Sequence, residues 1–525
     1  MRKIKKLVYI ITSLLLLFAV TAIFYFEGCF TVRQSCLLCE VTTTTRAKLN
    51  EIIAERNASQ KRFLTFLYET YDLPFYEKDN CSLFCSALAE SITVRSNINC
   101  ETALLREGST LTIVAWNENS YRLYTIELTT LPILCMETVG KTESETVGEE
   151  YCGGFLTVFD SNAGSVEHLY ANFKVHGASS LLFYPKNSYT IKLLNRKTGD
   201  ELIQSLLGIS ESTKFALNSL YEDDSKIRDI VSLTLWQKIE ADSTDNVANA
   251  AIEITPCEVF LNGEYEGLFG FQEVVGRSSV AADTADENAI FKVLSYDIPA
   301  LETFDPGLDS WGDIELVYNS LETPWENLCE TIRLTYYGTD EAFANEIGSY
   351  LDLDNCIDYY LYVSFLHAAD NIWKNFIFLQ SAETGEDAKL KILPWDTDQT
   401  FGAIWVTETE RKVEYDISCA TGDLASTMPW LLGRLWSCNV NGFNEKAAER
   451  WFALRSSALD EQFLVQYAND VFDEITQSGA RARDAARWPD SAVCEDNSFI
   501  DSFIRLRLAY LDEFFAGYLQ KGGND

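Results

Sequence analysis

Histidine is almost absent from this chain of 525 residues, which contains only His168, His176 and His367. A metal centre built mainly from imidazole ligands is therefore excluded, and a Ser-His-Asp arrangement has few possible bases. Positive charge is also scarce, because 42 Lys and Arg residues stand against 79 Asp and Glu, for a formal net charge of −37. Such a surface repels a phosphate backbone, so no nucleic acid is expected as a partner.

Internal repeats and low-complexity tracts are lacking as well, and the composition is that of a packed protein. Apolar residues make up 47% of the chain and aromatic residues 13%. These fractions supply enough apolar side chains for a hydrophobic core. The length allows more than one domain.

The N-terminus begins with the basic sequence MRKIKK, followed by 20 uncharged residues at 7–26. That length suffices for a helix across a bilayer. A cleaved signal peptide is the alternative, although its apolar core is usually about 7–15 residues long. We therefore expect residues 1–28 to be a cytoplasmic basic tip and a transmembrane anchor. Because basic flanks stay in the cytoplasm, the bulk of this single-pass protein is expected to be extracytoplasmic, at the cell surface or in a lumen.

Fourteen cysteines are scattered along the chain. Their even number suggests disulfides, which form in an oxidising compartment. Cys36 and Cys39 have the spacing of a zinc or redox motif, but no second Cys-x-x-Cys is present to complete a zinc site. Residues 29–108 combine several cysteines with helical spacing, and we interpret them as a stalk region.

The pattern of the remaining chain changes from strands to helices. Alternating apolar residues predict strands within 109–137. A helical apolar period predicts a helix over 224–239, and Asn262-Gly263 predicts the turn of a β-hairpin. The last hundred residues have mostly helical patterns. This order of strands, helix, hairpin and then helices predicts an α+β fold.

Two aspartates and their neighbours indicate a possible metal site. A predicted apolar helix is followed by Asp370, then by Asn375, a strand, a turn and a second strand that ends before Asp396 and Asp398. Protein kinases use the same order for a hydroxyl-orienting Asp, a metal-binding Asn and a metal-binding Asp. A metal that bridges two phosphates needs such oxygen ligands from separate elements. Each piece alone is weak, because a lone Asp-x-Asp also occurs in loop caps and in nucleotide-sugar transferases.

A kinase also needs a cation for the phosphates, usually a lysine on a strand. In SYTIKLL, Lys192 lies on the face opposite Tyr189, Ile191 and Leu193, as in the strand that carries the phosphate-binding lysine of kinases. Lys186 is the other candidate. For either residue the alternative is a solvated surface lysine.

Four ordered segments carry a resemblance to a known family. They are KVHGASSLLFYPKNSYTIKL, LLGISESTKFALNSLYEDDSKIRDIVSLTLW, VFLNGEYEGLFGFQEVV and KLKILPWDTDQTFG. They resemble the spore-coat CotH family of atypical protein kinases, over roughly residues 130–518. The resemblance implies a divergent protein-kinase-like fold at 109–522. Its mixed β, N-lobe-like part would span about 130–290, and its helical, C-lobe-like part about 350–522.

The resemblance also implies a reaction, in which the γ-phosphate of ATP is transferred to Ser or Thr of a protein substrate such as a surface or coat protein. The reaction would require Mg²⁺ or Mn²⁺. Asp370 would orient or deprotonate the acceptor hydroxyl, and Asn375 and Asp396 would bind the metal. Asp398 would be a second ligand or a support for the loop.

Further cofactor-binding residues follow from the same resemblance. Lys192 or Lys186 would contact the phosphates. Glu273 would pair with that lysine or line the adenine pocket. Arg228 and Asp223 match a family motif whose role is less defined.

Two positions depart from the family pattern, since His176 stands where the family has arginine and Asn187 where it has a second lysine. These departures leave room for a catalytically silent surface or structural member, such as an adhesin or scaffold. A third hypothesis is a glycosyltransferase that binds a metal and a nucleotide sugar through Asp396 and Asp398.

Overall fold

The computed structural model describes the following residues: 83–85, 101–107, 109–116, 121–139, 147–177, 179–242, 252–276, 288–295, 300–381, 389–406, 412–422 and 430–519. The predicted anchor at 1–28 and most of the predicted stalk at 29–108 lie outside them. In the part of the chain that is described, no helix is both long and apolar enough to cross a membrane.

A four-stranded sheet comes first in the chain. Its strands are β1 (Leu83–Cys85), β2 (Glu101–Glu107), β3 (Thr110–Trp116) and β4 (Tyr121–Thr129). Their order across the sheet is β1-β4-β3-β2, with β1 parallel to β4 and the other pairs antiparallel. The two described pieces of the predicted stalk, β1 and β2, are therefore extended. The strands predicted within 109–137 are confirmed.

Seven strands then close into a barrel, and a short antiparallel ribbon of two strands lies between its fourth and fifth strands in the chain. The strands from β5 to β13 are β5 (Ile133–Thr138), β6 (Cys152–Asp160), β7 (Ser165–His176), β8 (Ser188–Leu194), the ribbon strands β9 (Gln204–Leu206) and β10 (Ile209–Ser212), β11 (Lys214–Asn218), β12 (Ile254–Leu261) and β13 (Glu264–Glu273). The barrel order is β11-β13-β12-β5-β6-β7-β8, with β5 and β12 parallel.

The alternation of side chains along β8 explains how the barrel is filled. Tyr189, Ile191 and Leu193 are buried in the barrel core, so the residues between them face outward. The predicted hairpin is also confirmed, because β12 and β13 turn at Asn262-Gly263 with φ of 47° and 95°. Positive φ at both positions is what a type I′ turn requires.

A second sheet of five strands belongs to the C-terminal half. Its strands are β14 (Asn288–Val293), β15 (Ser310–Trp311), β16 (Ile314–Asn319), β17 (Phe376–Ser381) and β18 (Leu390–Pro394). They pair in the order β15-β16-β14-β17-β18, all antiparallel. A separate hairpin of β19 (Ala403–Val406) and β20 (Lys412–Tyr415) follows.

Helices make up most of the remaining C-terminal half. The helices are α1 (Ser179–Phe183), α2 (Arg228–Ala241), α3 (Glu326–Tyr337), α4 (Asp340–Glu346), α5 (Leu353–Leu366), α6 (Trp430–Ser437), α7 (Phe443–Leu454), α8 (Glu461–Gln477), α9 (Ala480–Arg487) and α10 (Ser498–Leu519). The helix predicted over 224–239 is confirmed as α2. It begins later than predicted because residues before Arg228 form a turn in which Asp223 accepts a hydrogen bond from the Arg228 backbone N–H (2.7 Å).

One large hydrophobic core joins α2, α5, the second sheet and the C-terminal helices, and a smaller core fills the barrel. The α+β class is therefore confirmed. The division into lobes at 130–290 and 350–522 stays a prediction. Disulfides find no support among the eight cysteines outside the first sheet that the structure describes, because all of them are free thiols. They are Cys135, Cys152, Cys257, Cys329, Cys356, Cys419, Cys438 and Cys494.

Candidate active site

A cavity of about 590 Å³ lies between the outer face of the barrel and one end of the second sheet. Outward-facing residues of the barrel line one wall, among them Ser188 and Ala216, and Lys292 and Asn375 line the other. This volume is in the range of small-molecule sites, which commonly form where two packed units meet.

The end of α5 positions the first predicted catalytic residue. The helix stops at His367, whose φ of 52° is left-handed, and a short 3₁₀ turn begins at Asp370. Asp370 Oδ2 lies 3.0 Å from Lys374 Nζ and accepts a hydrogen bond from Asn375 Nδ2 at 3.3 Å. Asp370 and Asn375 therefore meet at the cavity wall, as their spacing predicts.

The hairpin of β17 and β18 brings Asp396 to the same place. Phe376 pairs with Pro394, and the Trp395 backbone N–H donates to the Asn375 carbonyl at 3.1 Å. Since the two strands are antiparallel, the residue before β17 and the residues after β18 share one end of the sheet. Asn375 and Asp396 both have left-handed backbones, with φ of 56° and 53°.

Asn371 braces this junction, because its side-chain amide donates to the carbonyl oxygens of Asn375 and Trp395, both at 2.9 Å. The side chain is fully buried. These hydrogen bonds help to hold Asn375 and Asp396 in their left-handed backbone conformations, which are unfavourable for residues other than glycine.

Negative charge is concentrated around the Asp396–Asp398 loop. Burial raises the pKa of Asp396, and nearby Asp370 raises it further, while Lys374 and Lys292 oppose this. The pKa of Asp398 is well above its usual value, first because of burial and then because of Asp396 and Asp229. Carboxyl groups that resist ionisation in this way would be stabilised as anions by a bound cation.

Asp229 is a member of this cluster that sequence reasoning missed. It lies in the first turn of α2, and Oδ1 accepts hydrogen bonds from the backbone N–H and hydroxyl of Thr397 at 2.7 and 2.9 Å. Burial and Asp396 raise its pKa to about 7. It therefore holds the residue between Asp396 and Asp398, both of which line the cavity. Its acidic side chain within the motif DDSKIRD was the available signal.

A divalent cation fits this donor set only with help from a ligand. Among the residues described, no three His, Cys, Asp or Glu side chains converge closely enough to hold a metal by themselves. The available donors are the carboxylates of Asp396 and Asp398 and the amide oxygen of Asn375. Mg²⁺ commonly takes one or two carboxylates in this way and fills its other positions with water and phosphate oxygens.

The structure does not bring either predicted phosphate-binding lysine to the cavity. Lys192 faces outward from the barrel as expected, but it pairs with Glu201 at 2.5 Å. Lys186 is fully buried, and its Nζ lies 2.6 Å from both the Leu268 carbonyl and Asp484 Oδ1. The strand period correctly predicts the face of Lys192, but it does not indicate which position along that face meets the cavity.

Three other lysines line the cavity: Lys174 on β7, Lys292 on β14 and Lys374 after the 3₁₀ turn. Lys292 Nζ lies 3.2 Å from the centre of the Trp395 ring. The available sequence signal for Lys292 was a single lysine within the apolar strand AIFKVL.

Arg228 and Glu273 are placed beside the cavity rather than in its wall. Arg228 is buried, forms ion pairs with Asp223 and Asp224 at 2.5 Å each, and donates to the Thr400 carbonyl at 3.0 Å. It thereby joins the turn before α2, whose Asp223 lines the cavity, to the aspartate loop. Glu273 is buried at the end of β13. The residue before it, Gln272, lines the cavity in its place.

His176 lies in the cavity wall and is neutral at pH 7. Burial, reinforced by Lys292 and Lys174, lowers its pKa to about 4. Its ring meets Trp395 edge to face with centroids 5.7 Å apart, and Nδ1 lies 3.3 Å from the Thr190 hydroxyl. His176 therefore adds no positive charge to the cavity at neutral pH.

An aromatic group forms another part of the cavity wall. Tyr184 stacks on Tyr221 with ring centres 5.2 Å apart, and Phe183 and Trp405 lie 6.0 Å from each other. Glu222 adjoins them, and burial raises its pKa to about 7 despite a hydrogen bond to Tyr184. Flat aromatic surface beside a polar group suits a heterocyclic ligand.

Comparison with known proteins identifies a family for this chain. No curated protein matches the chain. The family model described as "CotH kinase protein" matches residues 173–511, which include the cavity-lining strands, both loops with the aspartates and most of the C-terminal helices. The chain therefore belongs to the CotH kinase protein family.

Proposed function

We propose that this protein binds ATP with Mg²⁺ or Mn²⁺ in the cavity and transfers the γ-phosphate to a Ser or Thr hydroxyl of a protein substrate. The observation that carries the proposal is the meeting of Asp370, Asn375 and Asp396 at one end of the second sheet. These residues have the types and order that phosphoryl transfer uses, and the family is one of kinases.

The metal would be held by Asp396 and Asn375, with Asp398 as a further ligand or as a charge that supports the loop. When bound, a divalent cation neutralises the charge that builds up on the phosphate oxygens. The raised pKa values of Asp396 and Asp398 support this assignment, because a bound cation would offset both the cost of burying their charge and the repulsion from neighbouring carboxylates.

Asp370 would orient the acceptor hydroxyl and receive its proton. The carboxylate lines the cavity and is held by Lys374 at 3.0 Å and by Asn375. A group that is positioned in this way lowers the entropic cost of bringing the hydroxyl to the phosphate. The nearby rings of Tyr184 and Tyr221 would contact the adenine ring of ATP.

Thermal unfolding of the purified full-length chain tests the proposal without a known substrate. Saturating ATP with Mg²⁺ should raise the midpoint by a few degrees, since a ligand at 100 times its Kd stabilises by about 2.7 kcal/mol. Chelation of the metal should remove most of the shift, and so should Asp396→Asn. A UDP-sugar should give no comparable shift.

Asp370→Asn is the matched variant for the chemical step. It keeps the shape of the side chain and should keep the shift with Mg²⁺ and ATP, while transfer of labelled γ-phosphate to a general protein acceptor falls by about 10²-fold or more. Failure of every nucleotide to stabilise the wild-type chain would overturn the proposal and favour a silent surface protein. A larger shift with the UDP-sugar would favour the glycosyltransferase.

We propose further that the protein is anchored by residues 7–26 with its N-terminus in the cytoplasm and its bulk outside. The support is the length and charge pattern of the sequence. Protease added to intact cells should cleave the C-terminal bulk, and salt or alkaline washes should leave it with the membranes. Release by a simple wash would contradict the anchor.

A further inference from the structure

Lys292 occupies a defined position in the second sheet. It lies on β14, between Glu315 on β16 and Ile377 on β17, next to the end of the sheet where Asn375 and Asp396 meet. Its Nζ lies 3.2 Å from the centre of the Trp395 ring, the residue directly before Asp396. The aromatic face holds the amine by a cation–π contact and keeps it beside the metal-binding loop.

Asp396 and Glu315 attract the ammonium group of Lys292, but neither lies within ion-pair distance of it. Among the described residues, neither a hydrogen bond nor an ion pair within 4 Å holds Lys292, although it lines the cavity. Lys374, by contrast, pairs with Asp370 at 3.0 Å, and the buried Lys186 pairs with Asp484 at 2.6 Å. A lysine that lines a cavity and forms no close ion pair retains its donors for a ligand, and an amine binds phosphate as a compact charge.

We propose that Lys292 is the lysine that binds the phosphates of the nucleotide, so that the cation comes from β14 of the second sheet rather than from the barrel strand β8. The inference rests on the proposed function, because it assumes a nucleoside triphosphate in the cavity. Lys292 would then contact the phosphates next to Asp396, the proposed metal ligand, and the Trp395 ring would hold the amine in that position. Lys174, for which the described residues also supply no carboxylate within 4 Å, adds positive charge on the barrel side of the cavity.

Lys192 cannot play this part in the observed structure. Ser188 is the residue of β8 that lines the cavity, and Lys192 lies four residues further along the same face, about 13 Å away at the usual rise of a strand. Its amine is paired with Glu201. Lys192 is therefore the matched control, since it is also a lysine on a strand and carries the same charge.

The test compares the full-length Lys292→Gln and Lys192→Gln variants in binding to ATP with Mg²⁺ and to adenosine. Lys292→Gln should bind ATP about 10- to 100-fold more weakly, as expected for loss of a hydrogen bond to a charged group. Its affinity for adenosine, which has no phosphates, should stay unchanged. Lys192→Gln should match the wild type with both ligands, and Lys292→Arg should restore part of the ATP affinity.

The outcomes distinguish the role of Lys292 from the proposed binding of ATP itself. No binding of ATP to the wild type would overturn both. Normal ATP binding by Lys292→Gln, or a loss confined to Lys192→Gln, would overturn the inference alone. Equal weakening of ATP and adenosine by Lys292→Gln would also overturn it, because the lysine would then support the cavity rather than bind phosphate.

A measurement on the wild-type chain covers the case in which Lys292→Gln does not fold. An amine-acylating reagent is applied with and without ATP and Mg²⁺, and modification of each lysine is followed by mass spectrometry. ATP should protect Lys292, adenosine should not, and Lys192 should react equally in all samples. Equal modification of Lys292 with and without ATP would overturn the inference.

Discussion

Single residues that never reach the ligand hold the candidate site in shape. Asp229 accepts two hydrogen bonds from Thr397, and this residue separates Asp396 from Asp398. Thr397 is fully buried, so its hydroxyl and the carboxylate of Asp229 have no access to water as a substitute partner. The loop geometry therefore depends on a contact between α2 and a segment nearly 170 residues away.

Thr397→Val tests this contact, because it keeps the branched shape and removes the hydroxyl. The buried carboxylate of Asp229 loses one donor, so we expect a loss of about 1–3 kcal/mol in the free energy of unfolding. Denaturant unfolding measures it. Thr421→Val, at an exposed hydroxyl, is the control and should cost much less. Equal costs for the two variants would contradict the role of Thr397.

The packing of elements also buries a carboxyl group away from the cavity, that of Glu240 near the end of α2. The N-terminal part of α5 and strand β18 face it. Burial raises its pKa to about 7, and its charged or polar neighbours are Lys391, Asp358, Asn355 and Asp352. Lys391 and the hydrogen bond from Asn355 lower the pKa, whereas the two aspartates raise it.

The sign of the pH effect follows from the proton held by the folded chain. Between pH 4.5 and about 7 the folded state keeps a proton on Glu240 that the unfolded state has lost, so stability falls as pH rises through this window. Glu240→Gln removes this titration. Its stability relative to the wild type should rise from pH 5 to pH 8 by up to about 3 kcal/mol. Exposed Glu449→Gln controls for the substitution, and a pH-independent difference would refute the assignment.

At the scale of the whole molecule, buried ion pairs join the barrel to the helical half. Lys186, in the segment before β8, forms an ion pair with Asp484 on α9. Asp484 also accepts a hydrogen bond from the Leu268 backbone N–H of β13 at 2.9 Å. Lys226, in the turn before α2, lies 3.8 Å from the same carboxylate. Since the cavity lies between the two halves, this connection holds its walls together.

Lys186→Met should therefore lower the free energy of unfolding, although it places an apolar side chain in a buried position. It leaves Asp484 buried with only part of its partners, and breaking a buried pair from one side typically costs about 3–5 kcal/mol. Lys192→Met removes the partly exposed pair with Glu201 and should cost about 0–1 kcal/mol. Denaturant unfolding of both variants measures the loss in the free energy of unfolding. Similar losses for the two variants would show that the buried pair does not hold the barrel and the helical half together.

The sequence predicted those parts of the site that lie close together along the chain. Asp370, Asn375, Asp396 and Asp398 lie in the 3₁₀ turn after α5 or beside the ends of one hairpin, and the antiparallel pairing of β17 with β18 places them at the same end. Local periods and turn residues are enough to predict such a unit. The same local signals predicted the Asn262-Gly263 hairpin and helix α2.

The lysines that line the cavity could not be predicted in this way, because their placement depends on contacts between distant segments. The pattern of SYTIKLL determines that Lys192 faces outward from β8, yet a strand period is the same at every position along the strand. Only the closure of the barrel and its packing on the second sheet decide that Ser188 reaches the cavity, that Lys192 meets Glu201, and that Lys292 lies beside Asp396. The sequence by itself determined which carboxylates the loop carries, and the tertiary structure decided which lysines face them, since burial and long-range pairing are not local properties.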